Sequence, residues 1–304
     1  MKGEFSMVSM LYKTNIFAFV GSENNREYKR NQVLIWDDLS SQILFKITLN
    51  ENVLNLKLRV DKVFIVCQNQ IYILNSKNEF IIIGIVETGL NPNGLLAINY
   101  NEENPFMVFP SCEKDKDKGE LTIKNLNNYV IRYFSPHKNK VTYISLSYDG
   151  TLLVTASEEG KKIRIFETKT LKQLEEFNRG KEKAEIKYIS IDMKNQFLAA
   201  SSERGTIHIW SLSQSLVKNT ESLLSGFPSF LGGGFFDNKW SFAQVRLDEP
   251  YSKFHFGLDN SLIIITSSGK YYKAKIDLKK REIAKSWKNF AYKIKLFCHN
   301  EPLK

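Results

Sequence analysis

The chain has 304 residues, of which 42% are hydrophobic and 25% charged, a composition ordinary for a folded globular protein and sufficient for one large β domain over 1–304. A formal net charge of +10 points to an anionic partner such as nucleic acid, a membrane surface or an acidic protein, and equally suits a basic surface kept for solubility. Cys67, Cys112 and Cys298 are widely spaced and odd in number, which excludes a disulfide framework and favours a reducing compartment.

No signal peptide is visible and no apolar run approaches the ~20 residues that span a bilayer, so a cytoplasmic protein with peripheral membrane contact is expected. In chain order, six β units are expected at 5–46, 47–84, 85–134, 137–178, 182–247 and 251–285. In the first, the polar run Ser22–Asn31 is a solvated loop or a partner-docking loop. The second has strands at Val53–Val60, Lys62–Cys67 and Gln70–Leu74, with Cys67 in the core. In the third, Cys112–Glu120 is a charged hairpin tip whose carboxylate spacing does not fit a calcium loop.

The fourth and fifth units are copies of one another. Lys140–Gly160 recurs as Glu185–Gly205 at an offset of 45 residues, with identities at Tyr143/Tyr188, Ser157/Ser202 and Gly160/Gly205. Each copy alternates apolar and polar residues, turns, forms a second apolar strand, turns at Gly and closes on an aromatic, Phe166 or Trp210. A repeat of about 40–45 residues built from short antiparallel strands is the signature of a WD-type propeller blade. The fold class expected is therefore all-β, a WD-type β-propeller with six visible blades.

Catalysis has little support. The four histidines, His137, His208, His255 and His299, form no cluster with cysteines or carboxylates at ligand spacing, so no metal and no cofactor is expected. No nucleophile elbow, P-loop or dinucleotide fingerprint is present, and Gly232–Gly234 follows an apolar loop rather than a strand. Basic residues are scattered rather than interleaved with aromatics on one face, which argues against nucleic acid.

One loop is unusual. Between Ser211 and Lys239 the segment Ser222–Phe236 carries Leu223, Leu224, Phe227, Phe230, Leu231, Phe235 and Phe236 among Gly, Ser and Pro. Propeller loops are mostly polar, so such a run either enters a lipid surface or folds back onto its blade as core.

Phe177-Asn178-Arg179-Gly180, at the boundary of the two copies, resembles the Phe/Leu-Arg-Arg-Gly motif of the PROPPINs, phosphoinositide-binding propellers of autophagy. The resemblance extends in order through Asn31–Asp38, Asn69–Asn75, Thr155–Thr168, Ser201–Trp210, Asn238–Gln244 and Ser267–Lys273. It implies a monomeric, non-enzymatic effector that binds phosphatidylinositol 3-phosphate and the 3,5-bisphosphate on phagophore, endosomal or vacuolar membranes and recruits autophagy proteins. It further implies that Phe5–Gly21 corresponds to the family's second blade, leaving either a six-bladed ring or a gap.

The resemblance places two phosphate pockets at the motif. The second would comprise Arg179, Ser202, Thr206 and His208, with Ser201 nearby. The first retains His137, Ser157 and Arg164, but Asn178 replaces its arginine and Lys161 its threonine, so this pocket is expected to be degenerate. Arginine suits phosphate because its planar fork donates two hydrogen bonds at once, which neither asparagine nor lysine reproduces. The residues named in the apolar loop would insert beside the head group. The rival reading is a WD-type protein scaffold without lipid binding.

Overall fold

A computed structural model describes residues 4–77, 79–112, 119–213, 219–221, 239–247, 252–277 and 282–284. They form six sheets and no helix. Blade 1 contains β1 (Phe5–Met10), β2 (Ile16–Gly21), β3 (Gln32–Asp37) and β4 (Gln42–Thr48). Blade 2 contains β5 (Asn55–Leu58), β6 (Lys62–Val66), β7 (Gln70–Asn75) and β8 (Ile82–Glu87). Blade 3 contains β9 (Ala97–Ile98), β10 (Phe106–Pro110), β11 (Leu121–Asn125) and β12 (Ile131–Phe134).

The two sequence copies become blades 4 and 5. Blade 4 is built on β13 (Val141–Leu146), β14 (Leu152–Ser157), β15 (Lys162–Glu167) and β16 (Gln173–Asn178). Blade 5 has β17 (Ile186–Ile191), β18 (Phe197–Ser202) and β19 (Thr206–Ser211); the chain then forms β20 (Thr220–Glu221) and β21 (Lys239–Trp240) before the blade's outer strand, β22 (Ala243–Arg246). Blade 6 contains β23 (Ser252–Phe256), β24 (Ser261–Thr266), β25 (Tyr271–Asp277) and β26 (Glu282–Ala284).

The expected WD-type propeller is thus observed, with two boundaries moved: β4 runs past residue 46 to Thr48, and β8 past residue 84 to Glu87. Both extensions are outer strands, whose mixed exposure gives a weak alternation signal. A larger departure is in blade 4, whose sheet has six strands because β20 and β21, which flank the apolar loop, add to its edge.

Strand alternation explains how blades stack. Leu198, Ala200 and Trp210 of blade 5 pack on Val154, Ile163, Ile165 and Phe177 of blade 4, whereas Phe197, Ala199 and Ile207 face Phe254, Leu262 and Ile264 of blade 6. Three further clusters join blades 1 and 2, 2 and 3, and 3 and 4. None of these five clusters joins blade 6 to blade 1. Cys67 lies in the core as expected, its thiol pushed up to about 12 by burial. No helix among the described residues is long and apolar enough to cross a membrane.

Candidate functional site

The motif segment leaves β16 and crosses to β17. Arg179 N–H donates to Lys161 O at 2.8 Å, and the side chain folds inward: Nε donates to Gly160 O at 2.8 Å and Nη2 to Glu182 O at 2.5 Å. Gly160 makes this crossing possible, with φ of +56° and a hypothetical Cβ that would lie 1.8 Å from Ala184 O. Arg179 is consequently only 5% exposed. The guanidinium is thus braced, fixed through two of its nitrogens to backbone carbonyls.

On blade 5, β18 and β19 place Ser202, Thr206 and His208 on the face toward blade 4. Ser201 lies on the opposite face, with Phe197 and Ala199 toward blade 6, so it does not join the others. Both Ser201 Oγ and Ser202 Oγ are enclosed without a hydrogen-bond partner among the described residues. His208 stacks on Trp210 (centroids 5.6 Å apart), and Trp210 stacks almost parallel on Phe177, again at 5.6 Å. This pile of rings fixes the imidazole relative to the arginine-bearing strand.

The outer strand β22 supplies a residue the sequence reading missed. Thr206 pairs with Arg246 and His208 with Gln244, so Arg246 shares the pocket face and is exposed. Burial, followed by the charges of Arg179 and Arg246, drives the His208 pKa down to about 4. His208 Nδ1 lies 3.1 Å from Ser241 Oγ. Burial and then the neighbouring Arg204 lower the Arg179 pKa, and Arg204 in turn pairs with Glu182 at 2.5 Å. Two guanidinium groups, Arg179 and Arg246, thus act on one neutral histidine, with Arg204 beside Arg179.

The corresponding face of blade 4 forms the first pocket. Lys162 pairs with Asn178 and Arg164 with Glu176 across β15 and β16, the same register that matches Thr206 to Arg246 and His208 to Gln244. One extra residue in the first copy's turn shortens the offset from 45 to 44 by Phe166 and Trp210, so Lys162 occupies the register of Thr206. Lys161 instead pairs with Glu159 at 3.1 Å.

Glu176, with a side chain 6% exposed, binds both Lys162 Nζ and Arg164 Nε, the latter at 2.8 Å. Arg164 Nη1 also donates to Pro136 O at 2.6 Å. Burial opposes ionisation of Glu176, but Lys162 and Arg164 outweigh it and hold the carboxyl below the usual range. His137 Nε2 lies 2.9 Å from Thr155 Oγ1, its pKa driven to about 4 by burial and then Arg164. Ser157 is buried on the same face. Arg164 and Lys162 of this pocket therefore already have an internal anion.

Leu223, Leu224, Phe227, Phe230, Leu231, Phe235 and Phe236 lie outside the described residues, as does His299. No group of three or more His, Cys, Asp or Glu able to hold a metal occurs among the described residues.

A basic pocket at one blade boundary, beside a copy at the next whose cations face Glu176, lies on a WD-type propeller. A profile of the PROPPIN family matches residues 11–243. Autophagy-related protein 18e of Arabidopsis thaliana is 32% identical over 281 residues, which cover 90% of this chain and 72% of that protein. Autophagy-related protein 18 of Komagataella pastoris is 27% identical over 70% of this chain, which spans only 46% of it. Kluyveromyces lactis Hsv2 shares the fold with a TM-score of 0.72 at 19% identity, covering 92% of this chain and 84% of that one. KlAtg21 in complex with the coiled-coil of AgAtg16 does so with a TM-score of 0.73 at 18% identity, covering 91% and 82%. The chain belongs to the PROPPIN family, a family of non-enzymatic β-propeller adaptors of autophagy.

Proposed function

We propose that this chain is a peripheral membrane effector that binds phosphatidylinositol 3-phosphate and phosphatidylinositol 3,5-bisphosphate through its second pocket and recruits machinery for autophagosome formation. The observation that carries this reading is the convergence of Arg179 and Arg246 on His208 at one blade boundary. Phosphate oxygens favour fixed guanidinium groups, and a neutral imidazole beside them can donate or accept as the ligand requires. Arg179 is the floor, braced by Gly160 O and Glu182 O; exposed Arg246 and Arg204 with half-buried Thr206 form the rim that meets the anion.

Attachment needs a second weak signal, because head-group capture or a few inserted side chains alone hold a protein only marginally. The apolar residues between Leu223 and Phe236 supply it on this reading, each buried Leu or Phe contributing about 1.5–3 kcal/mol. The protein then works as a monomer on the cytoplasmic face of phagophore, endosomal or vacuolar membranes. Flotation with vesicles containing or lacking phosphatidylinositol 3-phosphate tests this for wild type and Arg179→Ala. Binding that depends on the 3-phosphate and falls at least tenfold in the variant supports it; equal flotation of both, or no preference for the lipid, refutes it.

A second reading, a protein scaffold, draws on the complex of KlAtg21 with a coiled-coil. On this reading the chain is a WD-type protein-interaction scaffold without lipid binding.

A further inference from the structure

Asn55, Lys57, Thr142, Tyr143, Glu185 and Lys187 line a cavity of about 220 Å³ where β5, β13 and β17, the inner edge strands of blades 2, 4 and 5, approach the propeller axis. None of its lining residues belongs to either pocket described above. Alternation sends Leu56 and Leu58 into the core shared with blade 1 and turns Asn55 and Lys57 the other way. Each sequence copy shifts register here, skipping Thr142 in β13 and Lys187 in β17, and a bulge of this kind re-aims the side chain it carries. Tyr143 meets Tyr188 edge-on at 6.2 Å.

The charges lining this space do not balance. Lys187 Nζ pairs with Glu185 at 2.6 Å, and Asn55 uses its amide on Gly94 O and on Leu56 N–H. Half-buried Lys57 has neither hydrogen bond nor ion pair among the described residues. Burial lowers its pKa, and the next influence is a second cation, Lys253 of blade 6, with no carboxylate to offset either. Thr142 Oγ1 is enclosed and also lacks a hydrogen-bond partner among the described residues. Enclosing a cation or a hydroxyl is unfavourable unless a partner compensates it, and the oxygens of an anion can accept from both.

We propose that this axial cavity binds a small soluble phosphate-bearing anion, inorganic phosphate or a phosphomonoester, through Lys57 and the Thr142 hydroxyl. The inference is independent of the lipid reading. Size narrows the class: the cavity holds several waters at ~30 Å³ each, yet falls short of the ~300 Å³ at which pockets take drug-sized ligands. A tetrahedral oxyanion presents acceptors in several directions, so it meets donors on β5 and β13 together, and lysine is a recurrent point donor to phosphate. The bound anion offsets the mutual repulsion of Lys57 and Lys253 and ties blade 2 to blade 4 across the axis. A ligand that binds only the folded chain stabilises it by mass action.

The test compares the full chain in chloride and in millimolar inorganic phosphate at matched ionic strength. Wild type is expected to gain urea midpoint in phosphate, and Arg246→Ala, altered at the second pocket, to keep most of that gain. In the Arg246→Ala background, Lys57→Met should lower phosphate affinity about tenfold or more by calorimetry and abolish the gain, while Lys57→Arg stays within about threefold. In chloride alone, Lys57→Met should be at least as stable as wild type, because an unpaired, partly buried charge has been removed. A loss of stability there makes the lysine a structural element and overturns the proposal. Flotation on phosphatidylcholine vesicles with phosphatidylinositol 3-phosphate separates the two sources of phosphate: Lys57→Met should bind them within about twofold of wild type. A larger fall in vesicle binding assigns the site to lipid and overturns the proposal, as does a wild type that ignores phosphate or a Lys57→Met that responds like wild type.

Discussion

The two pockets are built from the same blade template and differ at four matched positions: Lys162, Arg164, Glu176 and Asn178 in the first stand where Thr206, His208, Gln244 and Arg246 stand in the second. In the first, the outer strand presents Glu176 and Asn178; in the second, the matched register presents Gln244 and Arg246. An acid at the first position draws Lys162 and Arg164 onto itself, so the cations there are already satisfied. Where the acid becomes an amide and the amide an arginine, positive charge stays on the rim and reaches as far as His208. The number of basic residues in a pocket is therefore a poor guide to anion binding; the sign of the residue opposite each one decides it.

The comparison can be broken first at the ring pile behind the second pocket. Trp210→Ala removes the ring between Phe177 and His208 and is expected to cost about 3–5 kcal/mol of stability, read from urea unfolding. Next is the rim: Arg246→Ala should weaken soluble head-group affinity by about ten- to a hundredfold, the typical worth of a charge-assisted contact, by calorimetry. The matched change in the first pocket, Asn178→Ala, should leave head-group affinity within about twofold.

Acid affects both pockets alike. His137 and His208 have folded pKa values of about 4 against an ordinary 6.5, so the unfolded chain takes up protons first and stability falls as pH drops below 6.5. By pH 5 the loss should reach about 2 kcal/mol for each histidine, measured as a shift in denaturant midpoint and relieved at that pH by neutral replacement of the imidazole. Only the second pocket should show a linked ligand effect: an anion beside His208 raises its pKa, so head-group affinity strengthens as pH falls from 7 toward 5. The smallest expected effect sharpens the template argument. Glu176→Gln with Asn178→Arg copies the second pocket's outer strand into the first, frees Lys162 and Arg164 from their acid, and should raise head-group stoichiometry from near one toward two.

The propeller was legible because the copies at Lys140–Gly160 and Glu185–Gly205 preserve alternation, turn glycine and closing aromatic, which are backbone requirements and so survive in sequence. The binding face was only partly legible. Arg246 escaped because a long loop separates it from Thr206, and cross-strand neighbours of that kind have no fixed spacing. Glu176 escaped because an acid on an outer strand is ordinarily solvated, whereas here two cations draw it inward. Ser201 was grouped with Ser202 by adjacency, although neighbouring residues of a strand point to opposite faces. The attachment of β21 to β16 had no signal, since parallel pairing of two short segments leaves no pattern in either.

Among the described residues, β16 is the outer strand of a blade that the chain covers with its own backbone. Exposed rows of amide and carbonyl groups are where foreign peptides join a sheet by strand addition, and on blade 4 that row is taken. A partner that recognises this protein by extending a sheet therefore meets a two-residue edge, β20, on blade 4, and finds longer outer strands on other blades.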